Sequence, residues 1–209
     1  MSDGDPPEPG GGVEGTDDGE RNDDTSDEPA GAGGVGAKAF THVDASGDAQ
    51  MVDVGEKAES KRRAVARGTI RLRPETVAAV RANDVAKGDV LATARVGAVQ
   101  AVKHTWETIP LCHQIPITNV ETAFDVGDAA VSLTVVVETV GKTGCEMEAL
   151  EGVTTGLNVV WDMVKAAEKD ADGGYPATRL EDVRVVEKTV EPIGTAPQAS
   201  NPPGGDGEP

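Results

Sequence analysis

The side chains best suited to proton transfer lie between Lys142 and Lys165. Asp162 and Lys165 are three residues apart and are therefore neighbours on one helix surface. Glu148 precedes Asp162 by fourteen residues, close to four turns of about 3.6 residues, so both carboxylates should fall on one line along the helix. Each charge alone is best explained by a structural ion pair or a solvated flank, but together they indicate a site.

A second candidate group is the segment from Ile109 to His113, which follows a predicted helix. Pro110 should end that helix and place Cys112 and His113 on a loop, where functional residues are common. Imidazole can hold or pass a proton near neutral pH, although hydrogen bonding to backbone explains His113 better when it is taken alone. A metal site that uses Cys112, His113, Cys145 and a glutamate is weakly supported, because the spacing of metal ligands is absent.

A glycine turn at Lys87-Gly88-Asp89 should lead into a helix. An ammonium beside a helix N-terminus can bind phosphate, because the main-chain N–H groups there also favour anions. The GxxxxGK[ST] spacing of a P-loop is absent, and a surface lysine in a turn explains Lys87 better when the turn is taken alone.

Hydrophobic periodicity predicts the elements that must position these side chains. Strands are predicted over 67–73, 115–126, 131–140 and 180–187, and helices over 74–82, 90–108 and 142–170. Thr143-Gly144 is interpreted as the turn into the last of these helices. This order favours an α+β sandwich with helices on one face of a mainly antiparallel sheet, and a ferredoxin-like arrangement is the nearest simple solution.

Finer expectations concern particular segments. A short hairpin is predicted over 41–52. The charged run 57–63 could form a solvated helix face or reach a neighbouring subunit. Trp106 and Met147 should face the core, because they recur at the spacing of an apolar helix face.

The composition limits the classes of function. The chain has 209 residues and a formal net charge of −18, with only 2% aromatic residues. Residues 1–38 hold eleven acidic and two basic side chains, and residues 191–209 hold three acidic side chains and no basic one. This charge and the scarcity of stacking aromatics disfavour binding to nucleic acid, and the charge disfavours an anionic membrane. The acidic, alanine- and valine-rich composition suggests adaptation to high salt.

One domain between two tails is expected. Residues 1–38 are predicted to be a disordered acidic tail and residues 191–209 a flexible C-terminal tail, because both are poor in apolar residues. The domain then spans 39–190. The N-terminus lacks a secretion signal, no apolar run is long enough to span a membrane, and two cysteines make no disulfide framework, so a reduced, cytoplasmic protein is expected.

Several short segments together form a recognisable series. They are HVD at 42–44, MVDV at 51–54, KGDVLATAR at 87–95, IPLCH at 109–113, KTGCEMEAL at 142–150 and DMVK at 162–165. In this order they closely resemble the MoaC family of cyclic pyranopterin monophosphate synthases, which act in molybdenum cofactor biosynthesis. The resemblance runs from about Thr41 to Lys188, but the glycine-rich KSGGKSG-like C-terminal segment of many bacterial members is absent.

The resemblance implies an activity and an assembly. The family is ferredoxin-like and forms a homohexamer, a trimer of dimers, with active sites at subunit interfaces. It converts 3′,8-cyclo-7,8-dihydroguanosine 5′-triphosphate to cyclic pyranopterin monophosphate and releases diphosphate, which makes it a phosphorus–oxygen lyase. No cofactor is expected to be required and no metal ligands are assigned, although Mg²⁺ could accompany the triphosphate.

The resemblance also implies roles for particular residues. The residues implied to be catalytic are Asp162, Lys87, Lys165 and His113. The residues implied to bind substrate are Leu111, Cys112, His113, Glu146, Met147, Glu148 and, by alignment with a family lysine, Lys188.

These residue types suit the implied reaction. Fixed cations such as Lys87 and Lys165 would neutralise the triphosphate and the departing diphosphate. Opening and closing a purine-derived ring needs groups that give and take protons. Asp162 beside Lys165 would be such a general acid or base, and His113 and Glu148 should lie near it.

Two other functions stay open at this point. A non-catalytic oligomer that binds a pterin or nucleotide would also need a pocket with lysines, and it would bind its ligand without turnover. A metal-dependent phosphohydrolase, which is less favoured, would use His113 and glutamates as metal ligands and would lose activity to a chelator.

Overall fold

The computed structural model describes residues 49–193, and among these residues four strands form one sheet. The strands are β1 (Ser60–Arg71), β2 (Ile117–Val126), β3 (Ala130–Gly141) and β4 (Arg179–Pro192), and the helices are α1 (Pro74–Ala82), α2 (Val90–Thr108) and α3 (Glu146–Glu168). The strand order is β2-β3-β1-β4, and each neighbouring pair is antiparallel. Because α2 and α3 pack on each other and on this sheet, the predicted α+β, ferredoxin-like fold is confirmed.

The core lies between the sheet and the helix layer. On β3 every second side chain is fully buried, as the period of a strand requires when only one of its faces is covered. On α3 the buried residues recur at helical spacing. The core residues with no exposed surface include Ala64, Ala66, Ile70, Leu133, Val135, Val137, Ala149, Val153 and Leu157. Because aromatic residues are scarce, the core is built from small aliphatic side chains.

Glycines on α3 bring the helix close to its neighbours. A Cβ at Gly156 would lie 2.4 Å from Leu133 Cδ2, and one at Gly152 would lie 2.8 Å from Val102 Cγ2. Both distances are shorter than a normal contact, so larger residues there would push α3 away from the sheet or from α2. This close packing fixes the direction of α3, which carries two groups of charged residues.

The starts of two helices are as predicted. Pro74 is the first residue of α1, where its missing N–H has no cost. Asp89 caps α2, and its side chain accepts a hydrogen bond from the Ala92 N–H at 2.9 Å. The helical backbone of α2 is interrupted at His104, at φ −116°, shortly before the loop that begins at Ile109.

Strand β1 begins at Ser60, so the prediction of a strand from residue 67 was too short. The alternative of a solvated helix face for the charged run is wrong, because Lys61, Arg62 and Arg63 belong to this strand. Arg63 lies opposite Glu138 of β3 and pairs with Glu187 of β4, so the charges are accommodated by neighbouring strands.

Helix α3 begins at Glu146, so the predicted turn at Thr143-Gly144 is confirmed, although the helix was predicted to run from Lys142. Trp106 and Met147 are each 40% exposed, so the prediction that they face the core is wrong. Both lie near helix ends, where the apolar stripe meets a loop.

The predicted tails fall largely outside the described residues. Residues 1–38 lie outside them altogether, as do residues 41–48 of the predicted hairpin, and residues 50–52 are in no strand. Strand β4 ends at Pro192, just inside the segment assigned to the C-terminal tail. Among the described residues no helix is both long and apolar enough to cross a membrane.

Candidate active site

A pocket of about 710 Å³ opens where the loop after α2 meets the turn before α3. One wall is the segment from Val52 to Lys57, which precedes β1, and another is the first turn of α3. The residues that line it are Val52, Val54, Lys57, Arg62, Ile109, Leu111, Cys112, His113, Lys142, Thr143, Gly144, Glu146, Met147, Glu148 and Lys188. All seven residues expected to bind substrate are therefore found around one pocket.

Three cations on the pocket wall form no ion pair with a carboxylate among residues 49–193: Lys57, Arg62 and Lys142. Arg62 donates from Nε to the carbonyl oxygen of Gly141 at 3.2 Å and from Nη2 to that of Lys142 at 3.3 Å. Lys142 donates from Nζ to the carbonyl oxygen of Gly55 at 2.6 Å. These contacts fix the turn before α3 and leave the positive charges available to an anionic ligand.

Glu148 is the buried carboxyl group of the pocket, with only 4% of its surface exposed. Burial raises its pKa to about 7, and the charge of Glu146 adds to the shift, while its own backbone N–H partly opposes it. A carboxyl group with this pKa can take up and release a proton near neutral pH. Glu146 itself is paired with Lys188 across the pocket.

Both cysteines lie close enough to Glu148 for its negative charge to raise the pKa of their thiols. Burial, followed by that charge, raises the pKa of Cys112. The same two causes raise the pKa of Cys145 to about 11, and its Sγ donates to the carbonyl oxygen of Val137 at 3.3 Å. Both thiols therefore stay protonated at neutral pH, and Cys145 is part of the core.

A second charged group lies further along α3. Lys165 Nζ is 2.7 Å from Asp162 Oδ1, and Lys87 Nζ is 2.9 Å from Asp162 Oδ2. Hydrogen bonds from Lys165 and then Lys87 lower the pKa of Asp162 to about 2, and the same contact raises the pKa of Lys165. The sequence left open whether Asp162 acts as an acid or as a base. With this pKa the carboxylate is ionised at neutral pH, and it holds two ammonium groups at the surface.

The turn before α2 places Lys87 against α3. Gly88 has φ +100°, a backbone conformation that only glycine adopts without strain. Asp89 follows as the N-cap of α2, so the direction of the chain is fixed on both sides of the turn. The glycine turn seen in the sequence therefore holds Lys87 against α3.

The two charged groups are far apart within one chain. Glu148 and Asp162 are fourteen residues apart on the continuous helix α3, which corresponds to about 21 Å at 1.5 Å per residue. Lys87, Asp162 and Lys165 do not line the pocket. The expectation that His113 and Glu148 lie near Asp162 is therefore wrong for a single chain, because helical phase puts residues on one line without bringing them together.

Metal-ligating side chains show no cluster in the part of the chain that the structure describes. No group of three or more His, Cys, Asp or Glu side chains is arranged there to hold a metal ion. The polar atoms of the pocket are instead ammonium, guanidinium, imidazole and carboxyl groups, a set suited to anion binding and proton transfer.

Comparison with known proteins identifies the family of this chain. The model of the MoaC family matches residues 51–190, which include the pocket and both charged groups. The chain belongs to the MoaC family. Its similarity to individual members extends over almost their whole length.

Three archaeal relatives illustrate this similarity, and each is named "Probable cyclic pyranopterin monophosphate synthase". The chain is 75% identical to that of Natronomonas pharaonis over 149 residues, which cover 71% of this chain and 93% of the relative. It is 57% identical to that of Methanosarcina mazei, over 72% of this chain and 96% of the relative. It is 53% identical to that of Thermococcus onnurineus, over 74% of this chain and 98% of the relative. This chain is thus longer than these relatives, and residues 1–50 lie outside the family match.

Sequence reasoning missed the three unpaired cations of the pocket. Lys142 opens the KTG segment and Lys57 closely follows the MVDV segment, so the motifs pointed to their surroundings. Arg62 had a further signal, because it stands on the same side of β1 as the buried Ala64 and Ala66. A strand prediction that began at Ser60 would have placed this guanidinium at the end of the core-facing row.

Proposed function

We propose that this protein is a cyclic pyranopterin monophosphate synthase, which converts 3′,8-cyclo-7,8-dihydroguanosine 5′-triphosphate to cyclic pyranopterin monophosphate and diphosphate in molybdenum cofactor biosynthesis. The observation that carries the proposal is the pocket, where all seven residues implied to bind substrate meet three cations that lack carboxylate partners. The names of the relatives agree with this activity.

The cationic wall suits the triphosphate. A hydroxyl oxygen of the substrate gives up its proton and bonds to the α-phosphorus, the bond from this phosphorus to the bridging oxygen breaks, and diphosphate leaves with its charge. Lys57, Arg62 and Lys142 can neutralise that charge where it develops. Lys188, which pairs with Glu146, can exchange that partner for a phosphate.

Glu148 and His113 suit the proton transfers in the same pocket. Ring opening, ring closure and attack of a hydroxyl on phosphorus each move a proton. Because burial brings the pKa of Glu148 to about 7, both protonation states of the group are populated near neutral pH. His113 lines the same pocket and is the other candidate proton carrier.

Lys87, Asp162 and Lys165 act as one preorganised unit in this proposal. Asp162, with its pKa lowered to about 2, serves as the anion that orients the two ammonium groups and does not serve as a general acid at neutral pH. The lysines then stabilise negative charge on the reacting substrate.

A second copy of the chain must supply this unit to the pocket. Within one chain the unit lies about 21 Å from Glu148, which exceeds the reach of a lysine side chain. An assembly in which the pocket of one subunit faces α3 of another solves this, and the homohexamer implied by the family resemblance provides such interfaces. The cytoplasmic location and any assistance from Mg²⁺ stay predictions.

Turnover by the purified protein tests the activity. The substrate is incubated with the protein, and diphosphate release is followed together with the fluorescence of the oxidised pterin product. Stoichiometric formation of both, with loss on His113→Ala, is expected. Ligand binding without either product would favour the alternative of a non-catalytic pterin or nucleotide binder.

Mixed oligomers test the shared site. His113→Ala removes a pocket residue, and Asp162→Asn removes the centre of the lysine–aspartate unit. If each site combines two chains, co-assembled variants recover about a quarter of the wild-type rate, because some interfaces pair two intact halves. Variants that stay inactive when mixed would place each site within one chain.

A further inference from the structure

Two aromatic side chains meet beside the lysine–aspartate unit, in a chain with only 2% aromatic residues. The rings of Trp161 and Tyr175 pack edge to face, with their centroids 5.7 Å apart and their planes at 83°. This geometry is favourable, because the positive edge of one ring meets the negative face of the other. Both side chains are partly buried, and neither lines the pocket. The contact therefore holds Tyr175 against α3 outside the pocket itself.

The indole stands next to two members of the unit. Trp161 directly precedes Asp162 and lies four residues before Lys165, so the indole and the lysine stem are neighbours on one helix surface. Helical side chains lean toward the N-terminus, which brings the Lys165 stem back over the preceding turn. Its ammonium ends 2.7 Å from Asp162 Oδ1. The aromatic pair therefore bounds the space in which the Lys165 side chain can move.

The phenol of Tyr175 lies within electrostatic reach of Lys165. Hydrogen bonding to Asp162 and the charge of Asp162 raise the pKa of Lys165, burial opposes them, and the phenol of Tyr175 adds a smaller raising effect. Asp162 belongs to the same helix as the lysine, whereas Tyr175 belongs to the loop between α3 and β4. Lys165 is therefore flanked by groups from two different elements.

The chain before Tyr175 forms a closed turn. Asp170 Oδ1 accepts hydrogen bonds from the N–H of Asp172 at 3.0 Å and from that of Gly174 at 2.7 Å. Asp170 donates its own N–H to the carbonyl oxygen of Gly174 at 3.0 Å. Gly173 has φ +87°, which suits glycine and strains other residues. This turn fixes the position of Tyr175 relative to the end of α3.

The chain after Tyr175 is anchored in the interior. Thr178 donates its N–H to the carbonyl oxygen of Tyr175 at 3.2 Å, and its Oγ1 donates to Glu168 Oε2 at 2.6 Å. Glu168 is only 1% exposed, and its other carboxyl oxygen accepts from the Arg73 N–H at 3.0 Å. Because Glu168 lies three residues after Lys165, the helix that carries the lysine also holds the loop that carries Tyr175.

We propose that Tyr175 is a positioning residue, which together with Trp161 confines the Lys165 side chain so that its ammonium stays on Asp162. The ion pair alone holds the lysine weakly, because both side chains are more than half exposed and solvent screens their charges. A lysine also loses much rotamer freedom when it is held in one geometry. The aromatic pair removes part of that freedom before substrate binds. Only the catalytic use of the lysine rests on the proposed function; its orientation does not.

Steady-state kinetics of the full-length protein test this role. Tyr175→Leu should lower kcat about tenfold with little change in KM, because the lysine acts on the reacting substrate. Tyr175→Phe should restore most of the rate, because it keeps the ring that packs on Trp161. Phe124→Leu is the matched control, since it removes a partly buried ring that lies beside Arg95, and it should leave kcat unchanged. A wild-type kcat in Tyr175→Leu, or an equal loss in Tyr175→Phe, would overturn the proposal.

A double-mutant cycle separates positioning from general damage to the fold. In a Lys165→Met background, Tyr175→Leu should cause no further loss of kcat, because no ammonium is left to orient. A further tenfold loss would show that Tyr175 acts on something other than Lys165.

Crystal structures of the wild type and of Tyr175→Leu give a readout that needs no turnover. The ammonium of Lys165 should lie on Asp162 in the wild type and be spread over several rotamers in the variant. A lysine that stays in place in the variant would overturn the proposal. If the lysine moves but the wild-type protein shows no turnover, the proposed function fails while the positioning role stands.

Discussion

Lys87 contacts Asp162 twice, because its Nζ donates to the carboxylate at 2.9 Å and to the main-chain carbonyl oxygen of the same residue at 2.6 Å. The second contact ties the lysine to the backbone of α3, so it depends little on the rotamer of Asp162. With Lys165 at 2.7 Å on the other carboxylate oxygen, one anion orients two cations. Side-chain exposures of 43% to 59% show that the unit faces outward from the chain.

Neutralising the carboxylate should free Lys165 and weaken the hold on Lys87, which keeps its contact to the main-chain carbonyl oxygen. We expect Asp162→Asn to lower kcat by about 100-fold, because Lys165 loses its orientation and Lys87 loses the ionic half of its contact. The thermal unfolding midpoint should change little, since the side chain is exposed. Asp128→Asn is the matched control, because Asp128 is also exposed but lies in the β2–β3 turn. Full activity of Asp162→Asn in a correctly assembled oligomer would remove the unit from the mechanism.

The turn that carries Lys87 offers a test of positioning. Gly88→Ala places a Cβ in open space, since nothing lies within 4 Å, so its effect comes from the backbone at φ +100°. A strain of about 1–2 kcal/mol should move the turn and with it the contact of Lys87 to Asp162. We expect kcat to fall about tenfold with little change in KM.

Gly127→Ala is the control for this substitution. Its φ is not positive, and its Cβ would meet only the Ala130 carbonyl oxygen at an ordinary 3.6 Å. It should keep full activity. If Gly88→Ala keeps it as well, the conformation of this turn does not position Lys87.

Replacing the guanidinium of Arg62 with the ammonium of a lysine should weaken substrate binding. Arg62 donates to two carbonyl oxygens, those of Gly141 and Lys142, from two different nitrogens. Arg62→Lys keeps the charge but cannot hold both carbonyls in the same way, so the turn before α3 should loosen. We expect KM for the triphosphate substrate to rise several-fold with a smaller change in kcat.

Arg81→Lys is a matched control, because Arg81 also contacts two carbonyl oxygens, those of Val126 and Gly127, away from the pocket. It should leave KM unchanged. Equal effects of the two substitutions on KM would mean that Arg62 acts only through general stability.

Much of this fold was predictable because its elements have strong periodic patterns. The starts of α1 and α2 are marked by Pro74 and Asp89, whose effects are local. The start of β1 was missed because the run Lys61-Arg62-Arg63, taken from the sequence alone, is typical of a solvent-exposed segment. Only the neighbouring strands, which supply Glu138 and Glu187, show how this charged run is accommodated.

The site was predictable as a list of residues but not as an arrangement. Motif order identified both charged groups, yet helical phase alone suggested that Glu148 and Asp162 act side by side. Distance along the helix axis separates them, and this follows from the helix rise once α3 is known to be continuous. Their different states, with a pKa near 7 for one carboxyl group and near 2 for the other, depend on burial and on two lysines, one of which is distant in sequence.

The buried carboxyl group of the pocket should make both stability and activity depend on pH. Because burial raises the pKa of Glu148 from 4.5 to about 7, the folded state binds more protons than the unfolded state between these values. The free energy of unfolding should therefore fall as pH rises from about 4.5 to about 7, and Glu148→Gln should remove roughly 2 kcal/mol of this fall. Urea unfolding at pH 5 and pH 8 measures the difference.

The same group should shape the pH–rate profile. If the carboxylate of Glu148 is the proton acceptor, kcat/KM rises with pH to a plateau above about pH 7, and Glu148→Gln lowers the plateau and removes the acid limb. Asp162 cannot produce this limb, because its pKa of about 2 keeps it ionised throughout the range. His113 lines the same pocket, so His113→Gln is the matched variant. A limb that survives Glu148→Gln but disappears in His113→Gln would assign the proton to the imidazole and leave Glu148 with a binding role.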